Sequence, residues 1–430
     1  MMRRWPLPLL LAATLAFVGL RVRAPYFLAW REALPGLCLI AGLFLAWRWR
    51  RQRALAILLL FGGSVALCQN LEFGRKKAAV LRAEPELLRT YGSHFIVGYQ
   101  DFAEIRELVR RGAVGGIFVT TRNIAGKSAV ELRSEIAELQ ELQAQNGLPP
   151  LYVATDQEGG AVSRLSPLVP LQPSLAAWLK TGSARDYAAL QARALAGLGV
   201  NLNFSPVVDL KHPALGEFGP SLLAQRAIAA DPAIVGAAAG EYCRGLEENG
   251  VRCTLKHFPG LGRVEVDTHW REGEISGGRE ELEKKEWRPF REVLAQSPAF
   301  LMVGHARVSA IDPEHPASIS RALVQGLIRL SWGHEGIVVT DDLAMAPIYD
   351  RKGGVGAASV QALNAGVDLL LLSYDGELYY EAMAALLKAA KSRRLDQNLL
   401  SQSARRLAHN PPLKKGGRGD FAAVVNGKKH

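Results

Sequence analysis

The stretch Arg252-Cys253-Thr254-Leu255-Lys256-His257-Phe258-Pro259-Gly260 opens as a short β-rich run and ends, without a break, in two basic side chains and a turn. A strand that stops in chemistry-bearing residues is unusual, and the pattern recurs through the chain. Strands are expected at His94–Gly98, Gly116–Thr120, Tyr152–Thr155, Asn201–Phe204, Arg252–Lys256, Leu301–Gly304, Ile337–Thr340 and Asp368–Leu372. Several are nearly continuous apolar runs, as parallel strands covered on both faces require. Amphipathic stretches alternate with them, among them Lys127–Gln145, Ser221–Asn249 and Pro316–Leu330. Eight strands alternating with helices predict an α/β fold of the closed (β/α)₈ type. An open doubly wound sheet is the alternative, but no glycine-rich phosphate fingerprint follows the first strand.

Polar residues fall where such a barrel gathers its functional groups. Thr155-Asp156-Gln157-Glu158-Gly159-Gly160, Lys256-His257, Gly304-His305 and Thr340-Asp341-Asp342 all follow strands. Strand ends converge on one mouth, so groups far apart in sequence share a pocket. One aspartate after a strand is most simply a helix cap; the repetition points to a site.

The chain has 430 residues, with 52 Lys+Arg against 41 Asp+Glu. Twelve of the basic residues and only two acids lie in residues 1–80, so the remainder is nearly neutral and offers no strong field for nucleic acid. Three apolar runs open the chain, Trp5–Leu20, Ala33–Trp47 and Ala54–Leu71. They predict a membrane region over residues 1–73 with about three spans, in contact with a lipid bilayer. A signal peptide followed by one or two anchors is the competing reading. Arg48, Arg50, Arg51 and Arg53 mark the loop before the third run as cytoplasmic, and Arg3 and Arg4 place the N-terminus there too. An N-terminus inside with three true spans puts the globular part, residues 84–410, outside the bacterial inner membrane, whereas two spans, with the first run cleaved or lying in the interface, leave it on the cytoplasmic side; Arg21, Arg23, Arg31 and Arg75–Lys77 compete. Residues 411–430 read as a flexible basic tail. The cysteines at 38, 68, 243 and 253 indicate neither a disulfide framework nor a zinc site.

Four blocks carry a resemblance: Asp156-Gln157-Glu158-Gly159-Gly160 through Leu165, Leu202-Asn203-Phe204-Ser205-Pro206 through Asp209, Lys256-His257-Phe258-Pro259-Gly260 with Asp267-Thr268-His269, and Val339-Thr340-Asp341-Asp342 through Met345. In order and spacing the chain resembles family 3 glycoside hydrolases, specifically the single-domain bacterial β-N-acetylhexosaminidases of cell-wall recycling. The likeness spans about residues 90–408 and omits the apolar runs. It implies a retaining β-N-acetylglucosaminidase that removes non-reducing terminal N-acetylglucosamine from peptidoglycan fragments or related glycans, without metal or organic cofactor. Asp341 is then the nucleophile, His269 the proton donor and acceptor, and Asp267 its orienting partner. Histidine suits that exchange because its intrinsic pKa lies near neutrality. Asp342 competes with Asp341 for the chemical role.

Sugar contacts are expected from Asp156, Arg164, Lys256, His257 and His305, with Glu158 as a supporting group and Asp209 tying down the fourth loop. Two departures stand out. The family's Arg-Ser-Phe-Gly after strand four is replaced by Leu215-Gly216-Glu217-Phe218-Gly219, which lacks an arginine, and a second histidine is replaced by Leu261. These leave open another β-glycosidase or phosphorylase specificity, or a membrane-tethered glycan-binding protein without turnover. The oligomeric state is not legible.

Overall fold

A computed structural model describes residues 6–212 and 223–413. The chain divides into two compact units, Met1–Ala83 and Glu84–His430. Of the tail expected at 411–430, residues 414–430 lie outside the described residues, as does the loop at 215–219.

In the first unit the three apolar runs form helices α1 (Pro6–Arg21), α2 (Leu34–Arg48) and α3 (Arg53–Leu81). Both shorter helices pack on α3. Small residues allow the approach: a Cβ on Gly42 would meet Gly63 Cα at 2.8 Å, and one on Gly62 would meet the Ala12 carbonyl oxygen at 2.8 Å. The large side chains point the other way, with Phe17, Ile40, Ile57 and Phe61 all more than 60% exposed. Among the described residues, α3 is the one helix long and apolar enough to cross a membrane. At 16 and 15 residues, α1 and α2 fall short of the roughly 20 that a perpendicular span needs.

The second unit is a closed barrel of eight parallel strands in sequential order. They are β1 (Phe95–Gly98), β2 (Gly116–Phe118), β3 (Tyr152–Thr155), β4 (Leu202–Asn203), β5 (Arg252–Phe258), β6 (Phe300–Val303), β7 (Val338–Asp342) and β8 (Leu369–Leu372). Each coincides with an expected strand, and β1 pairs with β8 to close the ring. Alternate residues fill the lumen: Ile96, Phe118, Tyr152 and Ala154, Leu202 and Phe204, Phe300 and Met302, Ile337 and Val339, Leu369 and Leu371. The period of two is what a pleated strand dictates, and each large side chain so buried stabilises by about 1.5–3 kcal/mol. The closing helix Gln397–His409 is pinned beneath the barrel, where Arg406 donates to Asp368 at 2.9 Å.

Three expectations need correction. The stretch 221–249 is not one helix: a short turn of helix at Leu223–Arg226 is followed by an extended segment and a new helix, Pro232–Glu247. Asp231 caps that helix by accepting from the Ala233 amide, with Pro232 at its first position. Similarly, 316–330 resolves into the turn Ala317–Ile319 and a π-helical segment Ala322–Ser331. Finally, Cys243 and Cys253 form a disulfide, with Cα atoms 5.2 Å apart. The turn between helix and β5 folds one back on the other, which brings the two cysteines together.

Candidate active site

The mouth is assembled from loops at the C-terminal strand ends. After β3 the chain turns into a small hairpin, Gln157–Gly159 against Val162–Ser163. Gly159 sits at φ +90°, and a Cβ there would overlap the Tyr187 hydroxyl. Asn203 at the end of β4 brackets the hairpin, accepting from the Gln157 amide and donating to its carbonyl, both at 2.9 Å. Asp156 and Glu158 are thereby aimed at the barrel mouth from either side of a fixed residue.

Lys256, at the mouth end of β5, places its ammonium 2.7 Å from both Asp156 Oδ1 and Glu158 Oε1. Glu158 also accepts two bonds from Arg226, from Nε at 2.9 Å and Nη2 at 2.8 Å. Burial alone would favour the neutral acid, yet Arg226 and Lys256 together hold the Glu158 carboxyl well below the usual range. Burial likewise opposes the Lys256 charge, and Asp156 and Glu158 more than restore it.

Arg226 corrects the reading of a lost cation. No arginine stands at 215–219, but Arg226, a few residues later, brings a nearly buried guanidinium into the mouth. Its Nη2 lies 3.4 Å from His257 Nε2. The signal was present: Asp231-Pro232 marks a helix start, which leaves Arg226 in a separate short turn ahead of that helix rather than on its surface.

His257 donates from Nδ1 to Asp209 Oδ2 at 2.7 Å, which leaves Nε2 facing Arg226. The fully buried Asp209 also accepts from the Leu261 amide at 2.6 Å, so it joins the loops after β4 and β5, as expected of it. Arg164 lies exposed beside the hairpin, its amide donating to the Asp156 carbonyl. His305 is wholly buried, with Nε2 bonded to the Asp342 carbonyl at 2.9 Å and Nδ1 to the Ser318 hydroxyl at 2.8 Å. Nε2 therefore holds the end of β7 and Nδ1 the turn after β6, and burial lowers the imidazole pKa.

The neighbouring aspartates of β7 diverge. Asp342 is buried and accepts from Ser373 Oγ, the Tyr374 amide and the Ala344 amide at 2.6, 2.8 and 2.9 Å. Its carboxylate staples the loop after β8, and burial, with Asp341 adding to it, pushes its pKa up to about 6. Asp341 is only partly buried. Burial opposes its ionisation, but His257 and His305, then the Asp342 amide and His269, hold its carboxyl below the usual range. Such a group stays an anion at neutral pH.

His269 comes from the loop after β5. Its Nδ1 is 2.7 Å from Asp267 Oδ1, and its amide donates to the same oxygen at 2.9 Å. The imidazole is over half exposed. Its carbonyl accepts from the Ala346 amide at 3.1 Å, which docks the loop on the segment that follows Asp341. The arrangement brings together an ionised carboxylate, an oriented imidazole and a charged rim.

Comparison with known proteins agrees. Residues 83–409 match the family model described as glycosyl hydrolase family 3 N terminal domain. The β-hexosaminidase LpqI of Mycobacterium tuberculosis is 36% identical over 286 residues, covering 64% of this chain and 70% of the relative. A Pseudomonas aeruginosa β-hexosaminidase is 32% identical over 301 residues, 69% and 86% of the two chains. Among solved structures, a family 3 β-N-acetylglucosaminidase from a Paenibacillus species superposes with TM-score 0.69 at 32% identity, covering 75% of this chain and 61% of that one. The M. tuberculosis LpqI structure gives 0.69 at 30% identity, over 80% and 98%. The chain is thus an enzyme of glycoside hydrolase family 3 and belongs to its bacterial β-hexosaminidases.

Proposed function

We propose that this chain is a membrane-anchored, extracytoplasmic, retaining β-N-acetylglucosaminidase acting on peptidoglycan fragments or related glycans. The supporting observation is the docking of the His269 loop on the segment that follows Asp341, where the Ala346 amide meets the His269 carbonyl. With Nδ1 given to Asp267, the proton in transit is carried at His269 Nε2. Asp341 attacks the anomeric carbon as Nε2 protonates the departing glycosidic oxygen, and the aglycone leaves. A water then attacks that carbon, gives its proton to Nε2 and frees the Asp341 carboxylate. Two inversions amount to retention. Asp156, Lys256, His257, Arg226 and Arg164 supply donors and acceptors for hydroxyls of the terminal sugar. The preference for N-acetylglucosamine is supported by the Paenibacillus relative of that activity.

The location rests on separate physics. In α1–α3 the small residues pack inward and the large apolar ones face out, the reverse of a water-soluble bundle and suited to lipid. Three alternating spans that keep Arg48–Arg53 in the cytoplasm also keep Arg3 and Arg4 there, and put the barrel outside. The Cys243–Cys253 disulfide fits an oxidising compartment.

Hydrolysis of an aryl N-acetyl-β-glucosaminide followed by proton NMR tests the reaction: the β-anomer is expected first, and an initial α-anomer contradicts it. A reporter fused after Ala83 tests the placement, and activity of that reporter in the cytoplasm overturns it.

A further inference from the structure

The loop that carries His269 is fastened at one more place, and that fastening involves a charge. Glu272, three residues beyond His269, lies between two guanidinium groups from different loops. Arg307, after β6, has Nε 3.0 Å from Glu272 Oε1, and Arg351, after β7, has Nη1 3.2 Å from the same oxygen. Neither arginine is loose. Arg307 donates to the Pro313 carbonyl at 2.9 Å and approaches Glu274 at 3.5 Å, while Arg351 donates to the Glu314 carbonyl at 3.0 Å. Main-chain bonds continue the seam: the Arg307 amide donates to the Gly273 carbonyl at 2.9 Å, and Glu274–Ile275 pairs with Arg307–Val308. All three ionic side chains are about one-third exposed, so each pair alone is weak, but together they span three loops.

Without the Glu272 charge, two like-charged guanidiniums face one another over the loop they now hold. None of the three groups takes part in the Asp156–Lys256–Glu158–Arg226 network or in the hydrogen bonds of Asp341. We propose that Glu272 is a positioning residue for proton transfer: clamped by Arg307 and Arg351, it keeps His269 over the glycosidic oxygen. This rests on the assignment of His269 as acid and base.

The experiment compares two aryl N-acetyl-β-glucosaminides, one with an activated dinitrophenol leaving group and one with plain phenol. Only the second needs a proton in order to leave. The full-length proteins are wild type, Glu272→Gln, Glu272→Asp, Arg351→Ala and His269→Ala. Glu272→Gln and Arg351→Ala are expected to lower kcat/KM for the phenyl substrate by about five- to tenfold, the range of a partly exposed ion-pair network. They should leave glycosylation by the dinitrophenyl substrate within about twofold, with Glu272→Asp partly restoring the first. Equal loss on both substrates, or no loss on either, overturns the clamp. His269→Ala separates the two claims: if it shows no leaving-group dependence the acid/base assignment itself is wrong, whereas dependence there and none in Glu272→Gln refutes the clamp alone.

Discussion

The amide of Ala346 donates to the carbonyl of His269 at 3.1 Å. Ala346 follows Asp341 by one short turn, so a single main-chain bond ties the loop of the imidazole to the strand of the carboxylate. Residues 72 apart in sequence are thus held at one mouth by a backbone bond.

Arg226 is expected to matter for sugar binding as much as the residues at the strand ends. It makes a bidentate contact that lysine cannot reproduce. Arg226→Ala and Arg226→Lys should each lower kcat/KM by about 10²-fold, mostly through KM. Steady-state kinetics on an aryl glycoside check this, and a lysine variant equal to wild type would refute it.

Two buried glutamates should respond in opposite ways to neutralisation. Glu158 compensates Arg226 and shares Lys256 with Asp156, so Glu158→Gln takes the bidentate carboxylate from buried Arg226 and should cost about 3–5 kcal/mol. Its carboxyl is depressed in the folded state, so its stabilising contribution is present above the ordinary carboxylate range and fades as pH falls below it. Glu247 has Arg252 at 3.9 Å, and burial pushes it up to about 7. Its contribution is therefore full in acid and is lost as pH rises through about 7. Thermal unfolding of Glu247→Gln should gain on wild type by about 1–3 kcal/mol between roughly pH 5 and pH 9. A constant difference across that range would contradict the reading.

The strands were legible because each is an apolar run cut off by a polar group, and that cut-off marks the mouth end of a barrel strand. Asp156, Lys256, His257 and Asp341 stand at the strand ends that the same signal marks. Arg226 was hidden because Ser221–Asn249 looked uniformly amphipathic, although only part of it is helix. His305 follows its strand by two residues, and its burial against Ser318 and Asp342 depends on how a distant loop folds over it. Periodicity does not report that. The disulfide escaped for a similar reason, since its two cysteines belong to elements of different period.

Replacing Cys243 and Cys253 together by serine should lower stability by about 2–3 kcal/mol, the chain-entropy value for so short a loop. Activity of the folded variant should persist, because neither sulfur reaches the mouth. Thiol-blocking mass spectrometry on protein taken from cells should find the pair oxidised. Free thiols at both positions would count against an extracytoplasmic barrel.

Asp342→Ala should reduce turnover by releasing the loop after β8, through Ser373 and Tyr374, without removing the attacking group. Residual activity about 10-fold or more above that of Asp341→Ala is expected, in line with loss of buried hydrogen bonds rather than of a nucleophile. If Asp342→Ala is the more inert of the two, the roles of the pair are reversed.

The most direct measurement is rescue by azide, read by the configuration of the glycosyl azide formed from an activated aryl N-acetyl-β-glucosaminide. Azide replacing the carboxylate in Asp341→Ala attacks once and should give the α-azide. In His269→Ala the covalent intermediate still forms, and azide taking the place of water should give the β-azide. The same anomer from both variants, or rescue of neither, would mean that Asp341 and His269 do not act on one linkage from opposite sides.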